Sequence, residues 1–587
     1  MSILNRTFHP DEANQAFTTG RLLETGTYCY NPQDHHGPTL YYAAATLQKA
    51  AGHHSTATLD PTLLRCTPLL FAVLALVFGA LAIRKITGRI GHGLLFALLL
   101  GTSPLFVFFA TDFIQEMLLA AFTMMMFWSA VGYWHSAQPL TTNHQPLTTK
   151  KIKPGTWAIL FGIAAGLAFA TKETAILTFA AAAIAFLVSN LLFKVSSSTP
   201  QPETRNQKPE TPNSKLQTLN SKQETLNSKL ETLNSKLFHF ILALAGFTLT
   251  SLLLYSSFAS NWQGVYNAFI AAPLSYLHRA AGSTVSQGAA AHVHPWWQYL
   301  YWMFGDEHGF LLFFILCGIG GGCLARFVWL TIRPEARTLI RAPLQRTFLF
   351  MFAYSLILLA LYSLIPYKTP WCALQITIGL LLAAFFGFSV TTNTFTAANS
   401  LGLPPGWPVS WKAVCDWWTN HPLLLKTIGA MPMFLVSALL LYGNIYDLIL
   451  INRDPDSTDL PYNYASASPQ VQDLASLIIE KITKPQPPTT DHQPLTTNHQ
   501  PLTTNFAAVA LPPEDTWPLP FYLRSIKDNV GYWTQFGELE ALAGLGRKPT
   551  VVVVPAEEGH LVQPLFPHLK NTKRFEMRPR VRVRAFW

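Results

Sequence analysis

Ten apolar runs of about 16–24 residues, each close to the ~20 needed to cross a bilayer, fall near 64–83, 91–110, 113–134, 156–171, 174–193, 237–258, 309–332, 347–365, 371–391 and 426–448. They predict ten transmembrane helices. Alternate loops between them are basic: Arg84, Lys85 and Arg89; Lys150, Lys151 and Lys153; the Lys-rich stretch 194–236; then Arg333, Arg337, Arg341 and Arg346. Cationic loops stay in the cytoplasm. The remaining segments then face outward: 1–60, the turn at Asp112, the turn at Lys172-Glu173, 259–308, 366–371, and everything after about 449. The two sets conflict at no loop. No apolar run precedes Asp11, so a loop of about 60 residues would be exported with no helix ahead of it. The pattern predicts a first helix missing ahead of that loop, in preference to its translocation by the helix at 64–83.

Beyond 449 the pattern turns soluble. Residues 469–483 have helical periodicity, with Val471, Leu474, Leu477 and Ile478 on one face. Thr550–Val554 is a β-branched run ended by Pro555 and predicts a buried strand. Arg578–Arg584 alternates charged and apolar residues as an edge strand does. Two low-complexity units interrupt the chain. Residues 213–237 repeat Asn-Ser-Lys-Leu-x-Thr-Leu every seven residues, a coiled-coil seam in form whose Asn-Ser pairs are poor helix formers. The unit His-Gln-Pro-Leu-Thr-Thr-Asn occurs around 144–149 and again at 492–505, on opposite sides of the predicted membrane. Indifference to side identifies tolerated loop insertions. The expected organisation is a first outer loop (1–63), an all-α polytopic bundle (64–448) with cytoplasmic insertions near 138–149 and 200–236, and a small extracytoplasmic α/β domain (449–587) interrupted at 484–505.

Composition agrees. Half the residues are hydrophobic and 12% are charged, against roughly 25% charged in soluble domains. The excess of 41 Lys+Arg over 31 Asp+Glu sits mainly in loops, so it reads as topology and lipid-headgroup contact, with no nucleic-acid partner. None of the six cysteines forms a CxxC pair, which supports neither a disulfide framework nor a zinc site.

The outward segments also collect the unusual polar residues. His9-Pro10-Asp11-Glu12 places two acids side by side. They suit a helix start, where acids complement the dipole, and equally a rigidly held general base. Asp112 and Glu116, four residues apart at the end of an apolar run, are expected on one helix face, where acids are costly unless they meet a cavity or water. Lys172-Glu173 and Tyr367-Lys368-Thr369-Pro370-Trp371 are either interfacial turns or cations aimed at a phosphate. His292-Val293-His294-Pro295-Trp296-Trp297 with Asp306-Glu307-His308 suggests a wet interfacial belt or a metal site without fixing a geometry.

Taken in order, His9–Ala13, Asp34–Pro38 with Tyr41-Tyr42, Phe109–Asp112, Ala170–Glu173, His294–Trp297, Tyr367–Trp371 and Trp517–Arg524 resemble a family within the GT-C superfamily. Its members are polytopic membrane glycosyltransferases of the protein O-mannosyltransferase and aminoarabinose transferase kind, and the branch most resembled is that of the flippase-activity-associated membrane proteins. The resemblance implies transfer of a sugar from a polyprenyl-phosphate donor to a glycan, lipid or protein acceptor outside the cytoplasmic membrane, with inversion. It implies Asp11 as base, with Glu12 beside it, and Asp112 organising the acceptor or a divalent metal. Lys172 and Lys368 are candidates for the donor phosphate. His36, Glu116, His294, Trp296, Tyr367 and Trp371 are candidates for substrate contact. The alternative is a non-catalytic protein that binds polyprenyl-linked sugars and assists their flipping.

Overall fold

The computed structural model describes residues 6–32, 36–137, 152–197, 212–275, 292–305, 309–331, 342–401, 422–453, 467–484, 505–578 and 581–587. Two short helices open it, α1 (Pro10–Thr25) and α2 (Thr39–Ala50), followed by the bundle: α3 (Pro61–Thr87), α4 (Ile90–Gly101), α5 (Pro104–Ala110), α6 (Glu116–Ala137), α7 (Pro154–Phe169), α8 (Ala175–Ser197), α9 (Pro212–Tyr255), α10 (Gln298–Phe304), α11 (Phe310–Thr331), α12 (Ala342–Leu364), α13 (Ala373–Leu401) and α14 (Pro422–Arg453).

Among the described residues, eight helices are long and apolar enough to cross a membrane, and they fall on eight of the ten predicted runs. The other two runs differ. Run 91–110 is a pair, α4 and α5, bent by 72°. Pro104 opens α5 and Ser103 before it is extended, as the residue preceding a proline prefers, so one apolar run becomes two segments. Run 156–171 is α7, only 16 residues long. The low-complexity heptads do not break the chain's helicity, since α9 runs unbroken from Pro212 into the span Leu233–Tyr255. The insertions at 138–149 and 484–505 and the acids of 306–308 lie wholly or almost wholly outside the described residues, as do Asp34 and His35.

Burial separates the centre of the bundle from its rim. Residues 372–390 are buried without a break, whereas the span Leu233–Tyr255 is mostly uncovered by the rest of the bundle. Small residues let helices approach. A Cβ on Gly162 or Gly166 of α7 would meet the backbone of α9 at Ala243 or Phe247, and one on Gly387 of α13 would strike Gly318 of α11. Close backbone approach through small residues is how helices pack where lipid offers no hydrophobic drive.

The C-terminal part is a five-stranded sheet in the order β2-β1-β3-β5-β4, built from β1 (Ala507–Ala510), β2 (Val530–Trp533), β3 (Val551–Pro555), β4 (Thr572–Arg578) and β5 (Val581–Phe586). β1 is parallel to β2 and β3, and β5 is antiparallel to β3 and β4. Helix α15 (Gln470–Thr483) covers one face with Val471, Leu474, Ile478 and Ile482. The predicted buried strand is β3. The predicted edge strand is corrected: 581–586 lies inside the sheet, and β4 and β2 are its edges. Alternation reports which residues face the core but not how many neighbours a strand has.

This domain grips the first loop. Phe8 stacks on Phe521 at 4.5 Å between ring centroids and Phe17 meets Trp517 edge-on at 5.7 Å. The Phe8 N–H donates to the Tyr522 hydroxyl at 2.9 Å, and Arg524 donates to the Leu59 carbonyl at 2.7 Å. The Trp517–Arg524 motif therefore anchors α1 from above.

Candidate functional site

The start of α1 is set by a reciprocal cap. His9 Nδ1 accepts from the Asp11 N–H at 3.2 Å, and Glu12 Oε2 accepts from the His9 N–H at 3.0 Å; such a box fixes the first turn. Gly26, at φ 72°, closes the other end by donating to the Leu22 carbonyl at 2.9 Å. The two acids of the pair then point to different fates.

Glu12 turns into the protein and is fully buried. Arg65 of α3 grips it through Nε at 2.9 Å and Nη2 at 2.7 Å, and the Phe113 N–H donates to its Oε1 at 2.9 Å. One carboxylate thus ties α1, α3 and the α5–α6 turn together. Burial alone would raise its pKa, but the charges of Arg65 and Arg6 and these hydrogen bonds outweigh it and hold the carboxyl down to about 2. Asp11 is half-exposed and faces an open cleft of about 1180 Å³, solvent at its mouth included.

Of the residues singled out in the sequence, Asp11, His36, Glu116, Lys172, Tyr367 and Trp371 line that cleft, whereas Glu12, Asp112, His294, Trp296 and Lys368 do not. The expected shared face of Asp112 and Glu116 is corrected. Helix α6 begins at Glu116, and residues 111–115 form an irregular turn in which Asp112 pairs with Arg6. Glu116 pairs instead with the buried Lys172, whose ammonium lies 5.7 Å from the Trp371 ring centroid. Burial lowers the Lys172 pKa, but the Glu116 carboxylate beside it more than compensates and raises it. Lys368 is 1% exposed and spends its ammonium on the carbonyls of Ile365 and His294, clasping the 292–294 segment to the turn before α13. His294 sits edge-on to Trp302, and Trp296 is exposed away from the cleft.

Other residues also build the site, Glu173 of the Lys172-Glu173 turn first among them. Glu173 accepts from the Tyr30 hydroxyl at 2.6 Å and pairs with His36 Nδ1 at 2.9 Å. Burial would push the Glu173 carboxyl up, but His36 and these bonds hold it down to about 2. A carboxylate on Nδ1 orients the imidazole and leaves Nε2 for the cleft. Gln15, Gln115 and Tyr299 complete the walls. Arg65 carried a sequence signal: it is a lone cation at the start of an apolar run, and such a charge has a partner. Among the described residues, no three His, Cys, Asp or Glu side chains come together as a metal-binding group.

The loops assigned to the outer side meet here and touch one another: Arg6 with Asp112, His36 with Glu173, Asn261 with Tyr28, and Val293 bridged to Tyr367. They therefore share one end of the bundle.

No known protein family matches the sequence, and no curated protein does. Solved structures do. ArnT from Cupriavidus metallidurans, bound to undecaprenyl phosphate, matches at TM-score 0.51 and 14% identity over 99% of this chain and 94% of that one. The chain therefore shares its overall fold with ArnT. The apo state of the same ArnT matches at TM-score 0.49 with the same identity and coverage. The oligosaccharyltransferase AglB from Archaeoglobus fulgidus, in complex with an inhibitory peptide and a dolichol-phosphate, matches at TM-score 0.42 and 14% identity over 94% of this chain and 66% of that one. The eight described helices that are long and apolar enough to cross a membrane make the chain a multi-pass membrane protein.

Proposed function

We propose that the chain is a membrane glycosyltransferase that moves a sugar from a polyprenyl-phosphate donor to an acceptor hydroxyl at the extracytoplasmic face of the cytoplasmic membrane, with inversion. The observation that carries this reading is the cleft at one end of an apolar bundle, in which an accessible carboxylate, Asp11, shares the walls with a buried ammonium, Lys172. The acceptor oxygen attacks the anomeric carbon as the carbon–oxygen bond to the phosphate breaks. Asp11 takes the acceptor's proton, and the bonding electron pair leaves with the lipid phosphate. Lys172 stabilises the charge that grows there. In this reading Glu12 and Asp112 are positioning residues, each committed to an arginine, and Lys368 holds loops together.

Replacing the ion pair with a neutral one, E116Q/K172M, removes the cation without leaving a buried charge alone. It is expected to keep the protein folded while cutting the transfer rate about 10²-fold, the scale of losing one charge-stabilising donor. Steady-state kinetics with a polyprenyl-phosphate sugar measures this; an unchanged rate would remove Lys172 from the reaction. The reading as a whole is tested in cells with and without the gene. Mass spectrometry of glycans and glycolipids is expected to show one sugar missing and its polyprenyl-phosphate form accumulating. An unchanged profile with no accumulation would overturn it.

A further inference from the structure

One hydroxyl organises part of the wall of the cleft that holds the carboxylate and the cation. Tyr41 of α2 is fully buried, and its hydroxyl donates to Gln15 Oε1 while accepting from Gln115 Nε2 at 3.3 Å. Gln15 is 5% exposed and Gln115 is 1% exposed, yet both line the cleft. Because both residues line the cleft, Gln15 Nε2 and Gln115 Oε1, the amide atoms not turned to Tyr41, offer it a donor and an acceptor. A tyrosine hydroxyl has one proton to give, so reversing both amides merely exchanges the roles. One donor and one acceptor remain in either case.

The placement adds meaning. Gln15 lies one helical turn beyond Asp11, on the same face of α1. Gln115 directly precedes Glu116, the partner of Lys172. The amide pair thus shares the cleft with the carboxylate and the cation, where the transferred sugar must lie if its phosphate meets Lys172 and its anomeric carbon is attacked from the Asp11 side. We propose that Tyr41 presets Gln15 and Gln115 as a neutral donor–acceptor pair that reads two hydroxyls of an uncharged sugar unit on the donor. This rests on the glycosyl-transfer reading above and names its substrate class. An uncharged pair suits hydroxyls, which both donate and accept, whereas a charged substituent calls for an opposite charge.

Two neutral hydrogen bonds together give about a ten-fold preference. The test measures affinities of the full chain in nanodiscs for bare undecaprenyl phosphate and for its phosphoglucose, phosphogalactose and phosphomannose forms. The wild type is expected to bind at least one sugar-bearing form about 10-fold more tightly than the bare lipid. Y41F, Q15M and Q115M are expected to reduce that preference to about 2-fold or less while leaving the bare-lipid affinity unchanged. The single glutamine variants leave the Tyr41 hydroxyl one partner, so they carry the test if Y41F does not fold. A wild type that binds the bare lipid but prefers no sugar form, or variants that keep the preference, overturn this inference alone. A wild type that binds neither lipid form overturns the donor reading and this inference with it.

Discussion

Asp11→Asn is expected to cut sugar transfer by about 10²–10⁴-fold, the usual contribution of a general base. The change is nearly isosteric. The α1 cap uses the Asp11 backbone N–H rather than its carboxylate, and the buried anchoring belongs to Glu12. Melting temperature and polyprenyl-phosphate affinity should therefore stay close to wild type while turnover collapses. That split distinguishes a base from a headgroup contact, because a protein that only binds and hands over lipid-linked sugars would lose affinity and have no turnover to lose. Full transfer activity in the variant would remove Asp11 from the chemistry.

The second large effect is on stability. Glu12→Gln leaves Arg65 buried with no opposing charge, and breaking a buried pair in this way costs roughly 3–5 kcal/mol. Glu12 titrates at about 2 in the folded protein against an ordinary value of 4.5. Its folded pKa is depressed, so its contribution, on the order of 3 kcal/mol, is complete above about pH 4.5 and is lost as pH falls toward 2. Thermal unfolding in detergent should show a large gap between wild type and E12Q at pH 7 and a smaller gap at pH 3.5. The double variant E12Q/R65M removes the stranded charge and keeps an oxygen for the Phe113 N–H. It should recover most of the loss, and equal instability of single and double variants would show that the charge is not the cause.

Much of this fold is legible in one sequence because lipid imposes a length on every span and cation bias orders the loops. That is why eight spans fall where the apolar runs lie, and why the loops read as outer converge on one cleft. Pro104 carried the warning that the run 91–110 is two segments, but length alone concealed it. The acids were harder. Asp11 and Glu12 are neighbours in sequence, yet a helix turns consecutive side chains about 100° apart, so one meets Arg65 and the other solvent. Local spacing cannot say which. Asp112 and Glu116 were misjudged for the opposite reason: four residues imply a shared face only if the helix has already begun. Gln15 and Gln115 are ordinary residues 100 positions apart, and only the Tyr41 hydroxyl makes them a pair.

The grip of Phe521 and Tyr522 on Phe8 also sets a timetable for assembly. The residue proposed as base is synthesised before the bundle, whereas the aromatic clamp that seats its helix is synthesised after it. Every helix of the bundle is inserted before that clamp exists. A chain cut short before Phe521 therefore lacks the clamp on Phe8, and the residue proposed as base waits for the C-terminal sheet region before its helix is seated.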